Sequence, residues 1–205
     1  MTASATSLSI CVFCASSDAI PQRYIDLASE VGAEIARRGH VLVTGGGSVS
    51  SMGAIARAAR AGGAWTVGII PRGLLTYEVA DEDADELVVT DDMRTRKATM
   101  DARADAFITL PGGLGTLEEL LEIWVARTLR MHDKPVVVCD PDGAFAHLRV
   151  QVDQIVEQGF ARPTVLQALT WVTTATEALN AVETQVRSAV AQPPPTDREV
   201  LEAEP

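Results

Sequence analysis

The chain has 205 residues, 47% of them hydrophobic, with 17 Lys and Arg against 28 Asp and Glu and a formal net charge of -11. That length supports one domain with a sizeable core, and the acidic balance argues against general binding of nucleic acid or of anionic membrane surfaces. A small phosphorylated ligand, held by a local cluster of positive groups, stays compatible with it. Residues 1–7 lack a basic stretch followed by a long apolar run, and no segment approaches the ~20 apolar residues of a membrane span. A cytoplasmic protein is therefore expected.

Short apolar runs alternate with longer helical patterns, which predicts βαβ units and an α/β fold around a mostly parallel sheet. The first strand is expected over 8–13 and an amphipathic helix over 24–37, stopped by Gly39. A second strand over 41–43 leads into Gly45-Gly46-Gly47, and a small-residue helix over 52–61 closes at Gly62-Gly63. Strand three spans 65–70, strand four 87–89, and between them lies an irregular segment ending in an acidic patch. A helix over 93–104, a strand over 107–110, a glycine turn and a helix to about 129 follow. Strand 136–139, helix 145–157, a short edge strand at 171–172 and a helix from 176 to about 190 complete the pattern. The expected organisation is a flexible start at 1–7, one domain over 8–190, and a disordered Pro-rich acidic tail over 191–205.

Cys11 and Cys14 have a C-x-x-C spacing, but no second pair accompanies them and both sit in or just after a strand run. They read as core thiols, as does Cys139, rather than as metal ligands. No metal or cofactor is expected.

The run Ile108-Thr109-Leu110-Pro111-Gly112-Gly113-Leu114-Gly115-Thr116-Leu117-Glu118-Glu119 carries the most information. A strand ends in a glycine-rich turn and a helix begins, so main-chain N–H groups and the positive helix end face an anion. Carboxylates beside such a site repel phosphate and make sense as groups acting on another part of the same ligand. The loop Gly45 to Gly53 follows another strand and adds Ser48, Ser50 and Ser51 as hydroxyl donors. Neither loop is a dinucleotide fingerprint, which follows the first strand, or a Walker loop, which needs lysine before serine or threonine.

Arg94, Arg96 and Lys97 stand at a helix start, against the dipole preference for acids there, and an anionic ligand supplies a reason. They cannot all face one way. On the following helix Glu119 and Glu122 share a face by their i,i+3 spacing, whereas Glu118 points elsewhere. Trp124, Arg127 and Met131 lie near one helical side, suited to a dimer interface, a base pocket or core packing.

Together these motifs resemble the LOG-type family of cytokinin riboside 5'-monophosphate phosphoribohydrolases, once described as possible lysine decarboxylases. The shared features are the Gly-Gly-Gly loop ending in Met52-Gly53, the pair Arg96-Lys97, and Pro-Gly-Gly-x-Gly-Thr-x-x-Glu at 111–119. Ser50 and Arg94 depart from the pattern, where many members carry glycine and histidine. The resemblance covers roughly residues 8–185. It implies a Rossmann-like three-layer αβα fold, a homodimer, and hydrolysis of the N-glycosidic bond of an adenine-type nucleoside 5'-monophosphate. It also implies Arg96 and Glu119 as the catalytic pair. Substrate and phosphate contacts are expected from Gly46, Gly47, Ser48, Met93, Lys97, Gly112, Gly113, Leu114, Gly115 and Thr116. Lysine decarboxylation finds no support, because nothing around Lys97 or Lys134, the only lysines, suggests a pyridoxal phosphate site. The competing expectation is a nucleotide or molybdenum-cofactor carrier that binds without turnover.

Overall fold

The computed structural model of the chain describes residues 7–75 and 79–191. The flexible start, apart from Ser7, and the tail, apart from Ala191, lie outside the described residues. Seven strands are present among those described: β1 (Ser9–Phe13), β2 (Val41–Thr44), β3 (Thr66–Pro71), β4 (Glu86–Thr90), β5 (Ala106–Thr109), β6 (Val136–Cys139) and β7 (Thr170–Val172). They form one sheet in the order β4-β3-β2-β1-β5-β6-β7. The expected mostly parallel sheet is parallel at every pairing.

The helices are α1 (Gln22–Arg37), α2 (Ser50–Ala61), α3 (Met93–Arg103), α4 (Leu114–Thr128), α5 (Ala146–Glu157), α6 (Thr164–Gln167) and α7 (Ala175–Ala191). They cover both faces of the sheet, as parallel strands require. On one face Ile10, Val12, Leu42 and Ile108 pack with Val31 and Ile35 of α1, Ile55 of α2 and Leu179 of α7. On the other, Phe13, Val43, Phe107 and Val138 pack with Met100 of α3, Leu120 and Trp124 of α4 and Val152 of α5. The result is the three-layer αβα arrangement. Strand alternation sends Cys11 into the second cluster and Cys14 into the first. The two thiols of the C-x-x-C spacing thus lie on opposite faces of the sheet, and all three cysteines are free and buried.

Boundaries differ from expectation where local chemistry is weak. Helix α2 begins at Ser50 rather than 52: its first bond runs from the Gly53 amide to the Val49 carbonyl at 2.9 Å, with Ser50 at a positive φ of 51°. Helix α6 is only four residues long, too short to show a helical period. The segment expected as irregular opens with a 3-10 turn at Arg72–Leu74 and later pairs Ala80 with Gly47 in an isolated antiparallel bridge.

The end of α1 is tied to α7 by charge. Glu34 accepts hydrogen bonds from Arg37 and Arg38, and Arg38 also pairs with Glu183 of α7 at 3.2 Å. Hydrogen bonding from Arg37, helped by Arg38 and opposed by burial, pulls the Glu34 carboxyl from 4.5 down to about 2. A carboxyl whose folded pKa is depressed contributes its stability in full above its unfolded pKa and loses it as pH falls through the folded one. Thermal melts of the wild type should therefore lose stability from about pH 4.5 toward pH 2 in a way that Glu34→Gln does not. Parallel acid limbs for the two proteins would remove the clamp from the stability account.

Candidate active site

In the strand order, β2, β3 and β4 lie on one side of β1 while β5, β6 and β7 lie on the other. The connections after β1 and β5 therefore diverge, and open α/β sheets bind ligands in the crevice outside the carboxyl ends at such a point. A cavity of about 500 Å³ lies there. Its walls are the turn after β1 (Cys14, Ala15, Ser16, Ser17), the loop over 111–116, Met93 and Arg96 of α3, and Glu118 and Glu119 of α4. Tyr24, Ile20, Met52 and Leu74 give it an apolar side.

The loop over 111–116 presents its main chain. None of the amides of residues 112–116 donates to another protein group among the described residues, and the first bond of α4 runs from the Leu117 amide to the Gly113 carbonyl at 3.0 Å. Five successive N–H groups at a helix N-terminus make a concentrated positive site for an anion. The Thr116 hydroxyl is committed elsewhere, donating to the Cys14 carbonyl at 3.1 Å and joining this loop to the β1 turn. A Cβ on Gly112 would stand 2.2 Å from that hydroxyl oxygen, so only glycine lets the loop close over Thr116.

Beside the loop stands a buried ion pair. Arg96 Nη1 lies 3.4 Å from Glu119 Oε1, and both side chains are nearly closed off, at 6% and 11% exposure. The guanidinium is held from behind, with Nε donating to the Ile69 carbonyl at 3.0 Å and Nη2 to the Gly45 carbonyl at 3.1 Å. The turn after β2 and strand β3 thus fix the arginine, and the arginine fixes the carboxylate. A Cβ at Gly45 would fall 1.9 Å from Arg96 Nη2. Gly45→Ala should therefore push the guanidinium off Glu119 and cut turnover by about tenfold or more while the protein stays folded, since a misplacement near 1 Å in such a site is costly. Wild-type turnover in Gly45→Ala would show that the arginine does not need that seat.

The structure separates several residues that the sequence groups together. Met93, Gly112, Gly113, Leu114, Gly115 and Thr116 border the cavity with Arg96 and Glu119, whereas Gly46, Gly47, Ser48 and Lys97 do not. The amides of Gly46, Gly47 and Ser48 are occupied by the Thr44 hydroxyl, the Met52 sulfur and the Val79 carbonyl. Lys97 binds Glu118 and Glu122, which hold it from successive turns of α4, so these two carboxylates meet one cation while Glu119 turns inward. Those two pairs raise the Lys97 pKa. Arg94 is exposed, and Asp92 caps α3 by accepting from the Thr95 amide at 2.8 Å. Trp124 is core, donating to the Val165 carbonyl; Arg127 reaches Gln185, and Met131 is exposed. Cys14 borders the cavity, but burial, reinforced by Glu119, pushes its thiol far above the usual range. A thiol held protonated is wall, not nucleophile.

Sequence reasoning passed over the β1 turn and the apolar side made by Ile20, Tyr24 and Leu74. For the turn, the signal available was its position: the first strand of a parallel sheet is often central, and its carboxyl end then borders the crevice.

Fold and site together define an α/β protein whose glycine loop, with its amides uncommitted, lies beside a buried arginine–carboxylate pair. A family model described as "Possible lysine decarboxylase" matches residues 52–182. Over 172 residues the chain is 51% identical to the cytokinin riboside 5'-monophosphate phosphoribohydrolase of Mycobacterium tuberculosis, covering 84% of this chain and 91% of that protein. The Arabidopsis thaliana enzyme of the same name, LOG3, is 42% identical over 174 residues, covering 85% and 81%. Among solved structures, the molybdenum cofactor binding protein of Rippkaea orientalis superposes with a TM-score of 0.66 at 20% identity, over 91% of this chain and 99% of that one. That likeness shows the fold. The chain belongs to the LOG-type family.

Proposed function

We propose that the protein hydrolyses the N-glycosidic bond of cytokinin riboside 5'-monophosphates, and of AMP, releasing free base and ribose 5-phosphate. The observation that carries this reading is the placement of five uncommitted amides and the Arg96–Glu119 pair on one cavity. It is supported by the names of relatives at 51% and 42% identity. The phosphoryl group lodges on the amides of 112–116, and the sugar extends toward Glu119. As the C1'–N bond breaks, its electron pair leaves with the base, which takes up a proton, and water supplies the hydroxyl at C1'. Positive charge develops on the ribose, and the Glu119 carboxylate stabilises it and orients the water. Arg96 holds that carboxylate in place and offsets its repulsion from the phosphate. Lys97, by occupying Glu118 and Glu122, reduces the negative charge at the cavity's rim.

The test is incubation of the purified protein with AMP and with isopentenyladenosine 5'-monophosphate, followed by chromatography. Free base and ribose 5-phosphate in equal amounts are expected. Both nucleotides recovered intact would overturn the reading.

A cytoplasmic location and a homodimer belong to the same proposal. No helix among the described residues is long and apolar enough to cross a membrane. Leu121 and Val125 of α4 and Leu129, which caps its end, stand exposed at i, i+4 and i+8, with Leu114 before them and Met131 beyond. An apolar stripe of this kind suits burial against a second copy. Sedimentation should give twice the chain mass, and Val125→Glu should shift it toward one chain. A wild-type protein of single-chain mass would remove the dimer.

A further inference from the structure

We propose that residues 15–17, the turn after β1, form a second binding wall for the nucleotide's phosphoryl group, and that Ser50 is the residue that positions this wall. The inference rests on the nucleotide reading above and deepens it. Three ties fix carbonyl oxygens along the turn and leave its amides uncommitted. The Cys14 carbonyl accepts from the Thr116 hydroxyl at 3.1 Å, the Ala15 carbonyl from the Met52 amide at 3.2 Å, and the Ser17 carbonyl from the Ser50 hydroxyl at 2.6 Å. The amides of Ala15, Ser16 and Ser17 donate to no protein group among the described residues, although all three residues border the cavity. Ala15 is only 5% exposed. A buried residue's N–H without a protein acceptor calls for a partner from outside the chain. Ser16 and Ser17 are exposed and add hydroxyl groups on the same wall.

Ser50 shows that the turn is held deliberately. It is buried, and its φ of 51° lies in the left-handed region that residues with a Cβ seldom occupy. Glycine would adopt that conformation without strain but has no hydroxyl to give Ser17. Strain kept beside a ligand crevice, together with a short hydrogen bond to the crevice wall, points to positioning. The wall then faces the amides of 112–116, and the phosphoryl oxygens are shared between the two loops.

Ser50→Gly removes the tie and the strain together, whereas Ser50→Ala removes the tie alone. Calorimetry with AMP, and separately with inorganic phosphate, is run beside steady-state base release and thermal melting. Ser50→Gly should melt at or above the wild-type temperature yet bind AMP about tenfold more weakly, with KM raised in step and kcat within about twofold. Ser50→Ala should show the same loss of affinity and a lower melting temperature. Ser50→Gly that binds AMP and phosphate as tightly as the wild type would overturn the proposal, because a merely structural serine moves the melting temperature alone. Wild-type binding of AMP without base release from either AMP or isopentenyladenosine 5'-monophosphate would end the hydrolase reading while the comparison of affinities still decides the role of Ser50. A wild type that binds neither AMP nor phosphate would end both.

Discussion

Replacing Glu119 with glutamine is expected to cut base release from AMP by about 10³-fold while nucleotide affinity changes by no more than about threefold. Glutamine keeps the size of the side chain and can still accept a hydrogen bond from Arg96 Nη1, which lies 3.4 Å from the native carboxylate. The buried seat between α3 and α4 is therefore preserved. What is lost is the negative charge, and that charge matters only when positive charge develops on the ribose. An interaction made chiefly in the transition state lowers kcat and leaves ground-state binding nearly intact. Single-turnover base release and calorimetry separate the two quantities. Unchanged turnover would remove Glu119 from the mechanism.

Arg96→Ala should damage binding, turnover and stability together. The guanidinium serves the Ile69 and Gly45 carbonyls as well as Glu119, and it is 6% exposed. Its removal leaves two carbonyls and a carboxylate with a donor fewer in a closed site, a loss of about 3 kcal/mol of folding stability. The freed carboxylate also repels the incoming phosphate, so KM should rise by about tenfold and kcat should fall by about 10²-fold or more. Arg96→Lys should recover little, because one ammonium cannot reproduce the planar fork that reaches three acceptors. Normal affinity and normal rate in Arg96→Ala would contradict the assigned role. The contrast between the two variants is itself informative: the carboxylate acts on the reaction, and the arginine acts on the carboxylate and the ligand.

The sheet was legible because parallel strands covered on both faces read as unbroken apolar runs, as in Val136 to Cys139, all four of which are buried. Helices of several turns were legible because their period repeats, whereas α6, at four residues, and the three-residue 3-10 turn at Arg72–Leu74 are too short to repeat one. The loop over 111–116 announced itself by its glycines and by the helix after it. The loop at 45–48 carries the same residue type for a different purpose. Gly45 makes room for Arg96, and the amides beyond it bond within the protein. Glycine marks a close approach of the backbone to something; composition alone does not say whether that is a ligand or a side chain.

Adjacent residues on a helix point about 100° apart, from 3.6 residues per turn, which is why Arg96 and Lys97 part company. One enters the cavity wall with Glu119, the other closes over Glu118 and Glu122. The i,i+3 pairing of Glu119 with Glu122 was a weaker guide than the i,i+4 pairing of Glu118 with Glu122, because a single lysine binds the latter two. The β1 turn left no mark beyond its position after the first strand, because Ala15, Ser16 and Ser17 offer main chain and small hydroxyls, which form no distinctive motif. Its place became visible only when the strand order put β1 beside β5.

The most direct measurement is a crystal structure of the Glu119→Gln protein soaked with AMP, where slow turnover keeps the nucleotide whole. The account predicts phosphoryl oxygens within about 3 Å of amides at 112–116, with C1' facing residue 119. A phosphoryl group seated away from those amides, or a sugar carbon turned from residue 119, would contradict it.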